Sequence, residues 1–259
     1  MYYPFRHLLI LRHCHSLGNH ARTLLGKGDE TLAKFLRGQK DSAHTHPLTG
    51  TGILQAHAVG RWIKQEFGRE LFQHKLSSNM VRALETATAI FPSELWTRIP
   101  GLRERNWGEL DLLSPTERQE RYADNLAERD SNPYSWQPPG GESLEVDVYQ
   151  RILPVLIGIQ NGQYSRGNCI AVTHHDVIWL FRYVIEGMSP DLFRSLHLSK
   201  DPDVHINNAE ILHYSRVNPD TGAFSSADQM WRRVIRPAED PVKVFPWVVF
   251  KPAPALSFE

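Results

Sequence analysis

The chain has 259 residues, of which 41% are hydrophobic, 22% charged and 10% aromatic. This length favours one large domain, and the aromatic content with ordinary numbers of Gly and Pro excludes a disordered or collagen-like chain. Lys and Arg together number 29, as do Asp and Glu, so the formal net charge is zero. No global positive field therefore favours binding to nucleic acid or to an acidic membrane, and an anion must be bound by a local cluster.

The sequence also predicts the cellular compartment of the protein. It has no apolar run of the ~18 residues that a membrane span needs, and we expect a mature chain that starts near Met1 and does not bind membranes. Two cysteines, Cys14 and Cys169, leave a single bridge open but cannot build a disulfide framework. Such sparse cysteine favours a reducing compartment, and we predict a cytoplasmic protein.

Two short apolar runs predict buried strands of a parallel sheet. They cover residues 7–11 and 168–173, and each leads into a histidine. His13 follows Arg12 after the first run, and His174 follows the second. Because ligands of open α/β sheets bind beyond the carboxyl ends of the strands, both histidines fall at a candidate site.

Between these strands the chain predicts helices that pack on the sheet. Apolar residues at helical spacing indicate helices over 51–67 and 79–90. Asn79 is the predicted N-cap of the second helix, which places Arg82 in its first turn. Glu104 follows a further predicted strand end. The short strands predicted in this part cover residues 75–78 and 96–99.

The second half of the chain begins with a segment that leaves the core. Ser114, Pro115 and Glu117 form the start of a helix that is charged nearly all round to about residue 129. Together with the Pro- and Gly-rich residues 132–141 it predicts an excursion or lid over about 109–141, within a single domain of residues 1–259. The elements predicted after it are a helix over 143–159 kinked at Pro154, a helix over 177–186, and strands near 211–214, 231–235 and 244–250.

The residues at these strand and helix ends suit one chemistry. Arg12, Arg82, His13 and His174 offer two guanidiniums and two imidazoles, which match a phosphoryl group whose charge must be neutralised during transfer. Without a metal, the nucleophile is predicted to be His13, which attacks phosphorus through one ring nitrogen while a backbone carbonyl holds the other. Glu104, with a pKa raised by partial burial, is predicted to protonate the leaving oxygen and then activate water.

Six blocks of the sequence also occur in an order typical of one enzyme family. They are residues 11–19 (LRHCHSLGN), 46–52 (HPLTGTG), 77–87 (SSNMVRALETA), 102–108 (LRERNWG), 140–143 (GGES) and 172–174 (VTH). Together they resemble the histidine phosphatase superfamily, in its phosphoglycerate mutase-like branch. The resemblance extends over residues 8–186, and residues 207–209 continue it.

The resemblance implies a three-layer α/β/α sandwich whose mixed, mainly parallel sheet has helices on both faces. It implies a phosphorylated histidine and a carboxylic proton donor, and neither cofactor nor metal is expected. The implied catalytic residues are His13 and Glu104 with Arg12, Arg82 and His174. The predicted phosphate contacts are Arg12, Asn19, Arg82, His174 and His175.

Three positions depart from the family pattern. Cys14 and His175 stand where the family has Gly. Cys14 is a small residue that is expected to fit, and crowding of the turn or oxidation beside the phosphate is left open. The side chain of His175 is expected to narrow the pocket, although its N–H still reaches a phosphate oxygen. The pair His175-Asp176 resembles the acid-phosphatase branch, in which Asp is the proton donor. We interpret Asp176 instead as a helix cap, because the residues after His15 lack that branch's Arg and Pro.

Two other classes of protein compete with this interpretation. A metal-dependent hydrolase could use the histidines of the two His-rich strand ends and a third His pair as ligands. Those residues are His13, His15, His44, His46, His174 and His175. Arg12 and Arg82 argue against a metal, because they would repel a cation. A phosphate-binding module without activity would lack His13 or Glu104, and the chain has both.

Within the family, phosphatases and mutases differ in whether water or a second hydroxyl receives the phosphoryl group. Residues 104–108 resemble the mutase form, but the arginine pair of the mutases is not clearly placed, and residues 114–141 mix acidic with basic side chains without concentrating positive charge. We therefore predict a phosphatase acting on a small phosphorylated substrate, and leave a homo-oligomer open. Further candidate pocket residues are Arg105, Arg118, Arg121, Tyr134 and Trp136.

Overall fold

The computed structural model describes residues 3–39, 42–68, 72–164, 167–225 and 229–254. The strands are β1 (Phe5–Arg12), β2 (His74–Ser77), β3 (Thr97–Arg98), β4 (Gly167–Thr173), β5 (Ile211–Ser215), β6 (Met230–Arg236), β7 (Lys243–Val244) and β8 (Val248–Phe250). The α-helices are α1 (Leu17–Leu25), α2 (Thr31–Arg37), α3 (Ser42–Thr45), α4 (Gly50–Phe67), α5 (Val81–Ile90), α6 (Pro115–Ser131), α7 (Tyr149–Gln160), α8 (His175–Glu186) and α9 (Pro190–His197). Shorter helical turns cover Pro100–Leu102, Gly108–Leu110 and, in π form, Leu144–Val148.

The strands form one mixed sheet in the order β3-β2-β4-β1-β5-β6-β7, with β8 also paired to β6. Strands β3, β2, β4 and β1 are parallel, and β5 to β8 extend the sheet in antiparallel fashion. Arg12 pairs with Thr173, and Ser77 pairs with Val172. The parallel strands therefore end nearly level, and the loops that follow them share one edge.

Apolar residues of β1 alternate between two cores. Leu8 and Ile10 lie in a buried cluster with residues of α7 and α8, whereas Leu9 and Leu11 lie in another with residues of α4 and α5. Successive side chains of a strand point to opposite faces, so a strand that is apolar throughout needs helices on both. The predicted three-layer α/β/α sandwich is confirmed.

The start of α4 approaches the loop after β1 very closely. Thr49 caps the helix by accepting a hydrogen bond from Gly52 N at 3.1 Å. A Cβ atom on Gly52 would overlap the carbonyl oxygen of His15. Only glycine therefore allows this helix to pack against the segment that carries the predicted nucleophile.

Helix α5 begins two residues later than predicted. Its N-cap is Met80, which makes no side-chain cap, and the Ser78 hydroxyl accepts from Met80 N at 3.2 Å. The prediction of Asn79 as N-cap is wrong, because α5 starts at Val81 and the extended residue before it is Met80. Arg82 nevertheless lies in the first turn, as predicted.

The segment over residues 109–141 has a small core of its own. The capping box of Ser114 is present, and α6 has no buried residue. Leu110, Leu113 and Trp136 form a separate buried cluster beside it. These contacts agree with a helix outside the main core, and the lid function stays a prediction.

Several boundaries differ from the sequence prediction at strand and helix ends. The strand predicted over 96–99 is only Thr97–Arg98, and the one predicted over 244–250 is split into β7 and β8 around Pro246, which has no N–H to donate. The helix predicted over 143–159 begins with the π-helical turn after Ser143, and α7 continues through Pro154.

The start of α8 differs from the role predicted for Asp176. It starts at His175 with His174 as N-cap, so Asp176 lies inside the first turn. The prediction of Asp176 as helix cap is wrong, because β4 passes into α8 without an intervening loop. Within the described ranges, no helix is both long and apolar enough to cross a membrane.

Candidate active site

The five residues predicted to carry catalysis meet at the carboxyl edge of the parallel strands. Arg12 ends β1 and His13 follows it, while His174 follows β4 directly. Arg82 comes after β2 in the first turn of α5, and Glu104 comes after β3. The short strands and tight connections thus deliver two cations, two imidazoles and a carboxyl to one place.

The ring of His13 is fixed in one orientation. Its Nδ1 lies 2.8 Å from the carbonyl oxygen of Cys14, and its Nε2 accepts from Arg82 Nε at 3.0 Å. Because a carbonyl only accepts, Nδ1 carries the proton and Nε2 keeps its lone pair. Burial and the charges of Arg82 and Arg12 hold the pKa of His13 well below its usual range. The ring is therefore neutral at pH 7, as a nucleophile must be.

Two arginines supply positive charge beside this ring. Arg82 is buried and donates from Nη1 to the carbonyl oxygen of Ala43 at 2.7 Å. Arg12 donates from Nη1 to the carbonyl oxygen of Ile206 at 2.6 Å. In the described part of the chain its buried Nε has no hydrogen-bond partner. Backbone carbonyls thus orient both guanidiniums, and an orphan donor remains for an anion.

His174 faces His13, with the ring centroids 5.0 Å apart. Its Nε2 lies 2.8 Å from the Ser78 hydroxyl, and its buried Nδ1 has no partner among the described residues. Burial and nearby cations, Arg82 foremost, hold the pKa of His174 well below its usual range. The Ser78 hydroxyl can donate to Nε2, and the ring proton then lies on Nδ1, where it is available to a phosphate oxygen. The sequence reasoning missed Ser78, although it lies in a block that carried the family resemblance.

Backbone N–H groups hold the carboxyl of Glu104. Its Oε1 accepts from Arg105 N at 3.0 Å and from Asp176 N at 3.3 Å, and its Oε2 accepts from His175 N at 3.1 Å. Burial and the carboxylate of Asp176 raise the pKa of Glu104 to about 7, against the opposing charge of Arg82. A carboxyl with that pKa can both give and take a proton at neutral pH.

A cavity of about 450 Å³ opens onto Arg82 and Glu104. This volume is within the usual range of small-molecule sites. Arg105, one of the candidate pocket residues, lines it, as does the ring of Trp107. Trp136 is buried beneath, and its backbone carbonyl accepts a hydrogen bond from Arg105. The site therefore combines a phosphate-sized centre with space for an organic group.

The model of one protein family matches residues 8–216, which include every residue of this centre. That family is branch 1 of the histidine phosphatase superfamily. The chain belongs to it.

Relatives of this superfamily member carry the names of both mutases and phosphatases. A 2,3-bisphosphoglycerate-dependent phosphoglycerate mutase of Methylorubrum extorquens (strain PA1) is 31% identical over 180 residues, 67% of this chain and 82% of the relative. A 6-phosphofructo-2-kinase/fructose-2,6-bisphosphatase of Gallus gallus is 32% identical over 147 residues, 56% of this chain and 29% of the relative. The solved structure of the alpha-ribazole phosphatase from Shigella flexneri has a TM-score of 0.60 at 19% identity, covering 82% of this chain and 91% of that chain. This last likeness supports the fold alone.

Asn19, a predicted phosphate contact, has a structural task in this superfamily member. Its Oδ1 accepts from Ser16 N at 3.1 Å and from Asn208 Nδ2 at 3.2 Å. Asn208 also donates to the backbone carbonyl of His13 at 3.0 Å. The two asparagines thus fix the loop of the nucleophile, and phosphate contact by Asn19 stays a prediction. Sequence reasoning gave Asn208 no role, although it lies in the last block of the resemblance.

Neither of the two residues that stand in place of family glycines lines the cavity. Cys14 is fully buried in the apolar cluster below α4 and α5, and burial raises its pKa to about 12. Cys14 therefore fits this position, as expected, with its thiol in the apolar cluster, and oxidation of the thiol stays a prediction. The ring of His175 contacts Asp176 and Trp179, and its N–H donates to Glu104. A phosphate contact by His175 stays a prediction, and its ring does not line the cavity described above.

The histidines of the metal interpretation do not form a ligand group. In the ranges that the structure describes, one set of at least three ligand-type side chains has its donor atoms within 4.8 Å of one another, namely His175, Asp176 and His197. Only His175 belongs to the predicted set, and His13 accepts from Arg82 instead. The competing interpretation as a metal-dependent hydrolase thus gains no support from the geometry.

Proposed function

We propose that this protein is a phosphatase that hydrolyses a small phosphomonoester through a phosphohistidine on His13, without a metal. The observation that carries the proposal is the orientation of the His13 ring. Its Nδ1 is tied to the carbonyl of Cys14, and its Nε2 lies against Arg82 with the ring of His174 5.0 Å away. The lone pair therefore points to where Arg82, Arg12 and His174 can bind a phosphoryl group.

In the first step, Nε2 of His13 attacks phosphorus and the ester P–O bond breaks. Arg12 and Arg82 stabilise the charge on the equatorial oxygens, with His174 donating from Nδ1. The carboxyl of Glu104 transfers its proton to the leaving oxygen, which departs as an alcohol. The products of this step are phosphohistidine and the Glu104 carboxylate.

In the second step, Glu104 acts in the reverse direction. Its carboxylate takes a proton from water while the water oxygen attacks phosphorus, and the N–P bond breaks. Inorganic phosphate leaves, Nε2 of His13 regains its lone pair, and Glu104 is protonated again. A pKa of about 7 suits a group that must hold the proton in one half-reaction and lack it in the other.

The pairing of the arginines in the cavity supports a phosphatase over a mutase. A mutase must hold a second anionic group near the phosphoenzyme while excluding water. Arg22 is paired with Asp111 at 2.7 Å, and Arg103 forms a bidentate pair with Glu142. Cations that already have carboxylate partners attract a second anion weakly, which leaves the phosphoenzyme to water.

A mutase activity is the second candidate, because the Methylorubrum relative described above is named a phosphoglycerate mutase. The two functions share both half-reactions up to the phosphohistidine. They differ in whether the phosphoryl group then reaches water or a hydroxyl of a second substrate. The residues at the reacting centre therefore do not distinguish them, and the product does.

Incubation with 3-phosphoglycerate and a trace of 2,3-bisphosphoglycerate tests the assignment directly. We expect free phosphate without comparable formation of 2-phosphoglycerate. A panel of phosphorylated sugars, nucleotides, glycerates and phosphopeptides, assayed for phosphate release, then ranks the substrate classes. Isomerisation that outpaces phosphate release would assign the protein as a mutase.

A further inference from the structure

The three residues whose N–H groups hold Glu104 also meet through their side chains. The carboxylate of Asp176 lies at the centre of these contacts. Its Oδ1 is 3.0 Å from His175 Nδ1 and 3.5 Å from His197 Nε2, and its Oδ2 is 3.9 Å from Arg105 Nη1. His197 comes from the last turn of α9, so two helices and the loop after β3 contribute. We call this group, Arg105, His175, Asp176 and His197, the Asp176 cluster.

The cluster is buried, which makes its charges consequential. The side chain of Asp176 is 3% exposed and that of Arg105 is 1% exposed. Burial alone favours the neutral acid, but the hydrogen bond from His175, the nearby ring of His197 and the charge of Arg105 outweigh it and hold the pKa of Asp176 well below its usual range. Asp176 is therefore a fixed negative charge next to the carboxyl of Glu104.

The hydrogen bonds of the His175 ring indicate that Asp176 accepts a hydrogen bond here and does not bind a metal ion. Trp179 Nε1 donates to His175 Nε2 at 3.3 Å, so the proton of that imidazole lies on Nδ1 and faces Asp176. A metal at Nδ1 would need this proton to leave, and the guanidinium of Arg105, 3.9 Å from Oδ2, would repel a cation at the other oxygen. Both features oppose a cation at this place and stabilise an ionised Asp176.

We propose that Asp176 is a positioning residue for the proton donor: its N–H orients the carboxyl of Glu104, and its fixed negative charge keeps the proton on Glu104 near neutral pH until the leaving oxygen takes it. The inference rests on the proposed function, because it assigns Asp176 a part only if Glu104 is the acid. His175, His197 and Arg105 act one step further out by keeping Asp176 ionised. The charge balance at Glu104 then depends in part on His197 of α9, a helix that supplies none of the five catalytic residues.

The other charges around this pair act in a known direction. Arg82 and Arg12 lower the pKa of Glu104, so the Asp176 charge opposes them. Arg151 donates to the backbone carbonyl of Glu104, not to its carboxyl. The ring of His205 lies 5.1 Å from that of His175, beyond Asp176 itself. The charged and titratable groups around Glu104 and Asp176 are Arg12, Arg82, Arg105, Arg151, His175, His197 and His205.

The test is the pH dependence of kcat/KM for an alkyl phosphate, whose leaving oxygen needs a proton. Removing the like charge by Asp176→Asn should make Glu104 more acidic, so the alkaline limb of the profile should move down by about one pH unit. With an aryl phosphate of good leaving ability the limb should stay where it is. Asp176→Glu, which keeps the charge, should move it by less than about 0.3 unit.

Two controls separate the charge from a change in folding. Asp191→Asn makes the same substitution in the exposed first turn of α9 and should leave the profile unchanged. The position of a limb does not depend on the amount of active enzyme, so partial unfolding of Asp176→Asn does not obscure it. An unshifted limb in Asp176→Asn overturns the proposal, and so does a limb that moves with added Zn²⁺ and returns with a chelator.

A double variant tests whether Asp176 acts through Glu104. In a Glu104→Gln background, Asp176→Asn should change the alkyl phosphate rate by less than about twofold, because the group it positions is gone. A large further loss would make Asp176 itself the proton donor and overturn the inference. If Glu104→Gln slows alkyl and aryl phosphates equally, the proposed function fails at Glu104, which is a different result from an unshifted limb.

Discussion

The surroundings of Glu104 carry opposite charges on its two sides. Toward the phosphate site it faces Arg82 and Arg12, whose cations favour its ionised form, and toward α8 it faces Asp176, which favours its protonated form. Burial adds to the effect of Asp176, and the pKa rises to about 7. On the phosphate side the same burial holds His13 neutral. The comparison teaches that one dry environment can prepare a nucleophile and an acid together, because removal of water disfavours charge on both.

On the phosphate side of the site, removal of the nucleophile should cause the largest loss of activity. His13→Ala should abolish turnover and phosphoenzyme formation, because it removes the ring nitrogen, Nε2 beside Arg82, that attacks phosphorus. Labelled substrate followed by an alkaline quench should show acid-labile phosphate on the wild type and none on His13→Ala. His20→Ala, an exposed histidine of α1, is the matched control and should keep the label. Activity near that of the wild type in His13→Ala would refute the mechanism.

The group between the two sides gives the next largest effect. Glu104→Gln keeps the shape but cannot give a proton, so an alkyl phosphate should react ~10²–10⁴-fold more slowly and a good phenolate ester much less so. In the wild type, the alkyl phosphate rate should fall as the pH rises through about 7, because the raised pKa keeps Glu104 protonated only below that value. Glu109→Gln, outside the cavity, is the control. Equal slowing of both esters would contradict an acid at this position.

A smaller effect should follow from loosening the second histidine. Ser78→Ala removes the hydroxyl that lies 2.8 Å from His174 Nε2, and with it the preference for a proton on Nδ1. The loss of one hydrogen bond predicts roughly a tenfold fall in kcat/KM. Ser77→Ala removes a neighbouring hydroxyl that bonds the backbone and should change the rate far less. The same loss in both variants would mean that Ser78 acts on the fold and not on His174.

The smallest expected effect is that of a chelator. If Arg12 and Arg82 supply the positive charge for the phosphoryl group, EDTA should leave the rate unchanged, and vanadate should inhibit as a phosphate mimic. The two are measured with the same ester at the same pH. Activity that is lost with EDTA and recovered only with Zn²⁺ or Mn²⁺ would favour the metal-dependent interpretation.

The sequence was sufficient where function follows directly from a strand end. The apolar runs of β1 and β4 carry their own signal, and His13 and His174 follow them without a gap. It was not sufficient where a contact joins distant parts of the chain. His197 reaches Asp176 only because α9 packs beside the start of α8, and Cys14 turns into the core because of the direction that the chain takes after β1. Neither direction nor packing partner is encoded in local periodicity, so the Asp176 cluster could not be predicted.

The central position of β1 in the sheet affects when the protein can fold during its synthesis. This strand, made first, lies between β4 and β5, which are made more than 150 residues later. Contacts of such separation form slowly, because a long loop must close before they are gained. While the ribosome is still adding the first half of the chain, β1 has neither of its neighbours, and its apolar residues have no sheet to join. His13 therefore becomes chemically competent only after β4 and β5, which lie far downstream in the chain, have been made.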